Sequence, residues 1–106
     1  MIGGIYLLLG SNIGDRLKNL ETAREHIATA SGRQLRASSI YETSAWGIED
    51  QANFLNQIVE IESSLSPRGL LDTLLEIEQA MGRVRLQKWG SRIIDIDILL
   101  YDHNVI

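Results

Sequence analysis

The stretch NQIVEIESSLSPRGLLDTLLEIEQAMG at residues 56–82 changes its hydrophobic period half-way, and that change decides the fold. From Asn56 to Glu62, Val59 and Ile61 share one face while Glu60 and Glu62 share the other, which is the alternation of a strand. Ser66-Pro67 then starts a helix, since serine caps and proline suits the first helical position. Leu70, Leu71, Leu74, Ile77 and Met81 recur at helical spacing, and Gly82 closes the helix. One strand feeds one helix.

The same punctuation holds on either side. Upstream, the apolar run Ile5 to Leu9 is a buried strand that stops at the turn cluster Gly10-Ser11-Asn12. A helix follows from about Asp15, with Leu17, Leu20, Ala23, Ile27 and Ala30 on one stripe. Ser31-Gly32 ends it, with the glycine expected in a left-handed cap conformation. Leu35 to Thr43 is predicted as a strand of weak alternation, followed by a long loop, Ser44 to Gln51, that carries Trp46. Downstream of Gly82 come a charged loop, Arg83 to Arg92, and a last strand, Ile93 to Tyr101. The order β-α-β-β-α-β predicts an α+β, ferredoxin-like sandwich, with an antiparallel sheet and both helices packed on one face.

With 106 residues, 44% hydrophobic and 23% charged, the chain fits a single globular domain spanning 1–106. Cysteine is absent, which excludes disulfides, thiolate metal sites and a cysteine nucleophile and fits a cytoplasmic setting. The formal net charge of −4 disfavours nucleic acid as a partner, so any phosphate-binding patch must be local. No stretch predicts a secretory leader or a membrane helix, the apolar run at Ile5 to Leu9 being far too short to span a bilayer.

The chemistry concentrates at Arg92-Ile93-Ile94-Asp95-Ile96-Asp97-Ile98. On a strand, Asp95 and Asp97 leave one face and Ile94, Ile96 and Ile98 the other, with the two aspartate Cα atoms about 6–7 Å apart. Two carboxylates at that spacing suit magnesium, which completes its shell with water and phosphate; a polar outer face of a half-exposed strand is the alternative. Residues 82–92 add three arginines, a lysine and a tryptophan. Guanidinium forks match phosphate oxygens, so the loop belongs either to a metal–polyphosphate site or to a salt-bridge cluster with the aspartates. Glu78 falls between Leu71 and Leu74 around its helix, where a carboxylate must be paired, most simply with an arginine of the next loop. Trp46, Phe54 and Asn56 can sandwich a flat heterocycle and read its edge, or Phe54 can be core with Trp46 as its cover. No Ser/His/Asp arrangement stands out.

Together these residues give the chain a resemblance to the 6-hydroxymethyl-7,8-dihydropterin pyrophosphokinase family of folate biosynthesis. It rests on Leu-Gly-Ser-Asn-Ile-Gly-Asp at 9–15, Ser-Ser-Ile-Tyr-Glu-Thr at 38–43, Phe-Leu-Asn at 54–56, Glu78, Gly-Arg-Val-Arg at 82–85 and Trp-Gly-Ser-Arg-Ile-Ile-Asp-Ile-Asp-Ile-Leu at 89–99. The resemblance implies a kinase-type transferase that moves diphosphate from ATP to the pterin hydroxyl, leaving AMP. It implies that Asp95 and Asp97 bind two magnesium ions, and that Arg83 and Arg92 are catalytic and hold phosphates. Arg85 and Trp89 would lie on a mobile loop over the site, with Glu78 and Ile98 at nucleotide-contacting positions. Thr43, Ser44, Trp46, Phe54, Asn56 and Asp95 would address the pterin. A cytoplasmic monomer with ATP and the pterin as its small-molecule partners is the expectation, and a truncated or inactive pterin- or ATP-binding module is the alternative. Family members are expected to continue beyond the position of Ile106 with further nucleotide and pterin contacts. The interval from Arg83 to Trp89 is slightly short for the family, and Ser91 stands at a frequent proline position.

Overall fold

A computed structural model of the chain describes residues 4–44, 53–82, 93–102 and 104–105. Along the chain run β1 (Ile5–Ser11), α1 (Arg16–Ala30), β2 (Arg33–Ala37), β3 (Tyr41–Thr43), β4 (Phe54–Glu62), α2 (Pro67–Ala80), β5 (Asp95–Tyr101) and β6 (Asn104–Val105). They form one six-stranded sheet in the order β2-β4-β1-β5-β6, with β3 paired to β4. Every pairing in it is antiparallel. Helix α1 carries the chain from central β1 to the β2 edge, and α2 carries it from central β4 to β5. That interleaving is the ferredoxin-like arrangement.

The core lies between the helices and one face of the sheet. Ile5, Leu7 and Leu9 of β1, Val59 and Ile61 of β4, and Ile96 and Ile98 of β5 meet Leu20, Ala23 and Ile27 of α1 and Leu70, Leu74 and Ile77 of α2. Both helical stripes are narrower than their periodicity implies. Leu17 and Leu71 stay exposed, as does Ala30, so each helix meets the sheet along a limited arc. Asp15 caps α1 by accepting the Lys18 N–H, and Ser66 caps α2 by accepting the Gly69 N–H, each at 3.1 Å. Gly82 has φ +87°, the left-handed conformation that ends α2 without a side-chain clash. Among the described residues no helix is long and apolar enough to cross a membrane.

Three boundaries differ from the sequence reading. β1 runs on through Gly10 to Ser11, because β4 and β5 both continue pairing there. The strand expected at 35–43 is two strands: between the pairs Ala37–Val59 and Tyr41–Asn56 the chain advances four residues on one side and three on the other. Ser38 bridges that break. Its N–H donates to the Ile58 carbonyl at 2.8 Å and its Oγ accepts the Ile58 N–H at 2.9 Å, so both backbone groups of Ile58 stay paired across the break. Gly32 is not left-handed; a Cβ there would lie 2.1 Å from the Glu62 carbonyl oxygen, so close backbone approach requires the glycine.

Candidate active site

The face of the sheet away from the helices gathers the candidate residues, and strand register assembles them. Gly10 of β1 sits opposite Asn56 of β4 on one side and opposite Asp95 of β5 on the other. One step along, Leu8 lies opposite Ile58 and Asp97. With strands about 4.8 Å apart, Asn56 and Asp95 stand about 10 Å from each other across a glycine floor. The hollow between them, about 200 Å³, is lined by Thr43 and Ser44 at the end of β3, Phe54 and Asn56, Leu8 and Gly10, and Asp95 and Asp97.

Gly10 is what opens this floor. A Cβ at that position would approach Asn56 Oδ1 to 3.2 Å and Phe54 Cδ1 to 3.4 Å, so both side chains lean over the bare strand. Asn56 is nearly buried and donates from Nδ2 to Thr43 Oγ1 at 2.8 Å, which fixes the plane of its amide. On α1, Arg16 donates to the Asn53 carbonyl at 2.8 Å and to Glu42 at 3.1 Å, tying β3 to the chain just before Phe54. Beyond Ser11, Asn19 holds the turn into α1 by donating to Ser11 Oγ at 3.0 Å and to the Ile13 carbonyl at 2.9 Å.

The two aspartates lie on one side of β5, as alternation requires, with Ile96 and Ile98 in the core on the other. Among the described residues no group of three or more His, Cys, Asp or Glu is placed to hold a metal. A pair of hard carboxylate oxygens with room for water and phosphate is a donor set that fits magnesium and disfavours zinc. A second hollow, about 230 Å³, lies further along the same face against Tyr6, Arg36, Ile58 and Glu60. Its cation is already engaged. Arg36 Nε donates to Glu60 Oε1 at 2.7 Å, and that bond with the charge of Glu60 raises the guanidinium above its ordinary range.

The structure thus brings Thr43, Ser44, Phe54, Asn56, Asp95 and Asp97 to one hollow. Ile98 points its side chain into the core, and Glu78 is buried beside β5. Trp46, Arg83, Arg85, Trp89 and Arg92 lie outside the described residues, as does the loop expected to pair with Glu78. Sequence reasoning missed the roles of Gly10, Leu8 and Arg16. The signal for Gly10 was present, since a glycine flanked by an apolar run can mark close approach by neighbouring side chains.

Comparison with known proteins places the chain in a family. The model of the family described as 7,8-dihydro-6-hydroxymethylpterin-pyrophosphokinase matches residues 6–106. The chain belongs to this family. Among family relatives, the 2-amino-4-hydroxy-6-hydroxymethyldihydropteridine pyrophosphokinase of Methylorubrum extorquens is 51% identical over 98 residues, covering 92% of this chain and 62% of the relative. The pyrophosphokinase of the same name from Aquifex aeolicus is 44% identical over 102 residues, covering 96% of this chain and 63% of the relative. The chain therefore spans a little over three-fifths of the length of these curated relatives. A crystal structure of HPPK-DHPS in complex with substrates matches the fold with a TM-score of 0.75 at 19% identity, over 96% of this chain and 28% of that one.

Proposed function

We propose that this chain carries the site that transfers diphosphate from ATP to the hydroxyl of 6-hydroxymethyl-7,8-dihydropterin, giving AMP and the pterin diphosphate. One observation carries the reading: Asn56, Gly10 and Asp95 stand in a single row across the sheet, so a heterocycle edge-reader and a metal-type carboxylate face one hollow. Family membership and the names of the relatives support the same reaction.

The roles follow from chemistry. The pterin ring lies along the glycine floor, where Phe54 offers a face for stacking and Asn56 an amide for the ring's hydrogen-bonding edge. Thr43 keeps that amide in plane, and Ser44 lies at the same rim. Asp95 and Asp97 would hold the two expected magnesium ions, which when bound would neutralise triphosphate charge and supply Lewis acidity. Asp95, in the same row as Asn56, also directs the pterin hydroxyl towards the β-phosphorus. Arg83 and Arg92 match and steady the phosphate oxygens, and Arg85 and Trp89 are assigned to the same nucleotide. Glu78 and Ile98 fall at nucleotide positions, and with the Ile98 side chain in the core its contact is through the backbone. Transfer of a phosphoryl group needs positioning and charge neutralisation more than a covalent nucleophile; the hollow would supply the positioning, and magnesium with Arg83 and Arg92 the neutralisation. The enzyme is proposed to work as a cytoplasmic monomer on these two small molecules.

The test is AMP formation from ATP by this chain with magnesium, with and without the pterin. Pterin-dependent AMP is the expected result. AMP that forms equally without the pterin, or a folded chain that binds neither substrate, would contradict the proposal.

A further inference from the structure

Among the described residues, strand pairing covers one side of β5 where it carries its carboxylates. β1 follows it from Asp95 onward, whereas β6 meets it at Leu100 and Tyr101. The outer edge beside Ile96 is taken by a side chain: Glu78 Oε2 of α2 accepts the Ile96 N–H at 2.6 Å. Glu78 is only 4% exposed and stands in the last turn of α2. That is a costly place for an acid, since burial disfavours its charge and the helix carbonyls nearby are already negative. A short charge-assisted bond to a backbone N–H offsets the cost.

The anchored amide is the peptide joining Asp95 to Ile96, and Asp97 is the next residue. Holding that peptide plane fixes the pleat from which both carboxylates project. We propose that Glu78 is a positioning residue, which by gripping the Ile96 N–H sets the spacing and direction of Asp95 and Asp97 and thereby the affinity of the site for a divalent cation. This inference rests on the reading of those two aspartates as metal ligands. It assigns Glu78 an action on the strand, distinct from a contact with the nucleotide.

Two variants test it. Glu78→Ala removes the acceptor, while Glu78→Gln keeps a carbonyl oxygen in its place. Two readouts apply: hydrogen exchange of the Ile96 amide without metal, and Mn2+ binding in the presence of ATP by electron paramagnetic resonance. In Glu78→Ala the Ile96 amide should exchange about tenfold faster, as for loss of one hydrogen bond. Mn2+ affinity should fall about ten- to a hundred-fold, the range for residues that orient metal ligands. Glu78→Gln should restore both readouts most of the way. Unchanged Ile96 exchange in Glu78→Ala, or faster exchange with unchanged Mn2+ affinity, would overturn the proposal. Should Glu78→Ala fail to fold, Glu78→Gln decides: Ile96 protection kept while Mn2+ affinity falls about ten-fold or more would overturn the proposal equally. Asp97→Ala measured in parallel separates the underlying reading: if Mn2+ affinity ignores that change, the aspartates are not metal ligands, and the failure lies there.

Discussion

Asp97→Ala is expected to lower pterin-dependent AMP formation about a hundred- to a thousand-fold while leaving the fold intact. A carboxylate that holds a phosphate-neutralising cation contributes several kcal/mol in the transition state, and each ~1.4 kcal/mol is a factor of ten in rate. The structural cost is small for a physical reason. Asp97 is an exposed residue on the open face of β5, while its neighbours Ile96 and Ile98 carry the packing. Exposed substitutions of this kind change stability by about 0.5 kcal/mol or less. The competing account, in which the aspartates serve a surface salt-bridge cluster, makes the opposite forecast: a lower unfolding midpoint with little change in turnover. Rate and unfolding midpoint, measured on the same preparation, tell them apart.

The second large effect is at Gly10. Valine suits a central strand, but here its side chain must push aside the buried Asn56 amide and Phe54, so Gly10→Val should lower the unfolding midpoint modestly while the chain still folds. Its side chain would stand where Asn56 Oδ1 and Phe54 Cδ1 now lie 3.2 and 3.4 Å from the ideal Cβ position. Both groups must give way, and the floor of the hollow is filled. Pterin affinity should drop about ten- to a hundred-fold, since filling the floor costs about 1–3 kcal/mol of overpacking against the ring. Calorimetric titration with the pterin checks this. Undiminished affinity would show that the ring does not lie over β1.

Much of this was readable in advance where one residue's neighbours along the chain settle its environment. The two-residue period of β4 and β5 places Val59, Ile61, Ile96 and Ile98 in the core and Asp95 and Asp97 on the open face. The caps at Asp15 and Ser66 are equally local. What failed depends on partners far away in sequence. β2 alternates weakly because it is an edge strand exposed throughout, and its separation from β3 is made by Ser38 bonding Ile58, twenty residues on. Gly32 looked like a left-handed cap, but the reason for it is the Glu62 carbonyl on β4.

The candidate site divides in the same way. Asp95 and Asp97 announce themselves by spacing, and Phe54 and Asn56 by type. Neither the Thr43–Asn56 bond nor the row Asn56–Gly10–Asp95 can be found without the register of three strands. Glu78 shows the boundary most sharply. Its position on the helix marks it as a carboxylate needing a partner; one partner is a backbone N–H on β5, which no side-chain pattern reveals, while the arginine loop expected beside it lies outside the described residues.

One hollow is proposed to seat the pterin beside the metal–triphosphate. Amide and side-chain NMR of the chain, titrated first with the pterin and then with ATP and trace Mn2+, tests this. The pterin should shift the Asn56 side-chain amide and Gly10. Mn2+ with ATP should then broaden Asp95 to Asp97 most strongly and reach the bound pterin. Perturbations confined to the far hollow around Tyr6, Arg36 and Glu60, with Asn56 and Asp95 unmoved, would contradict it.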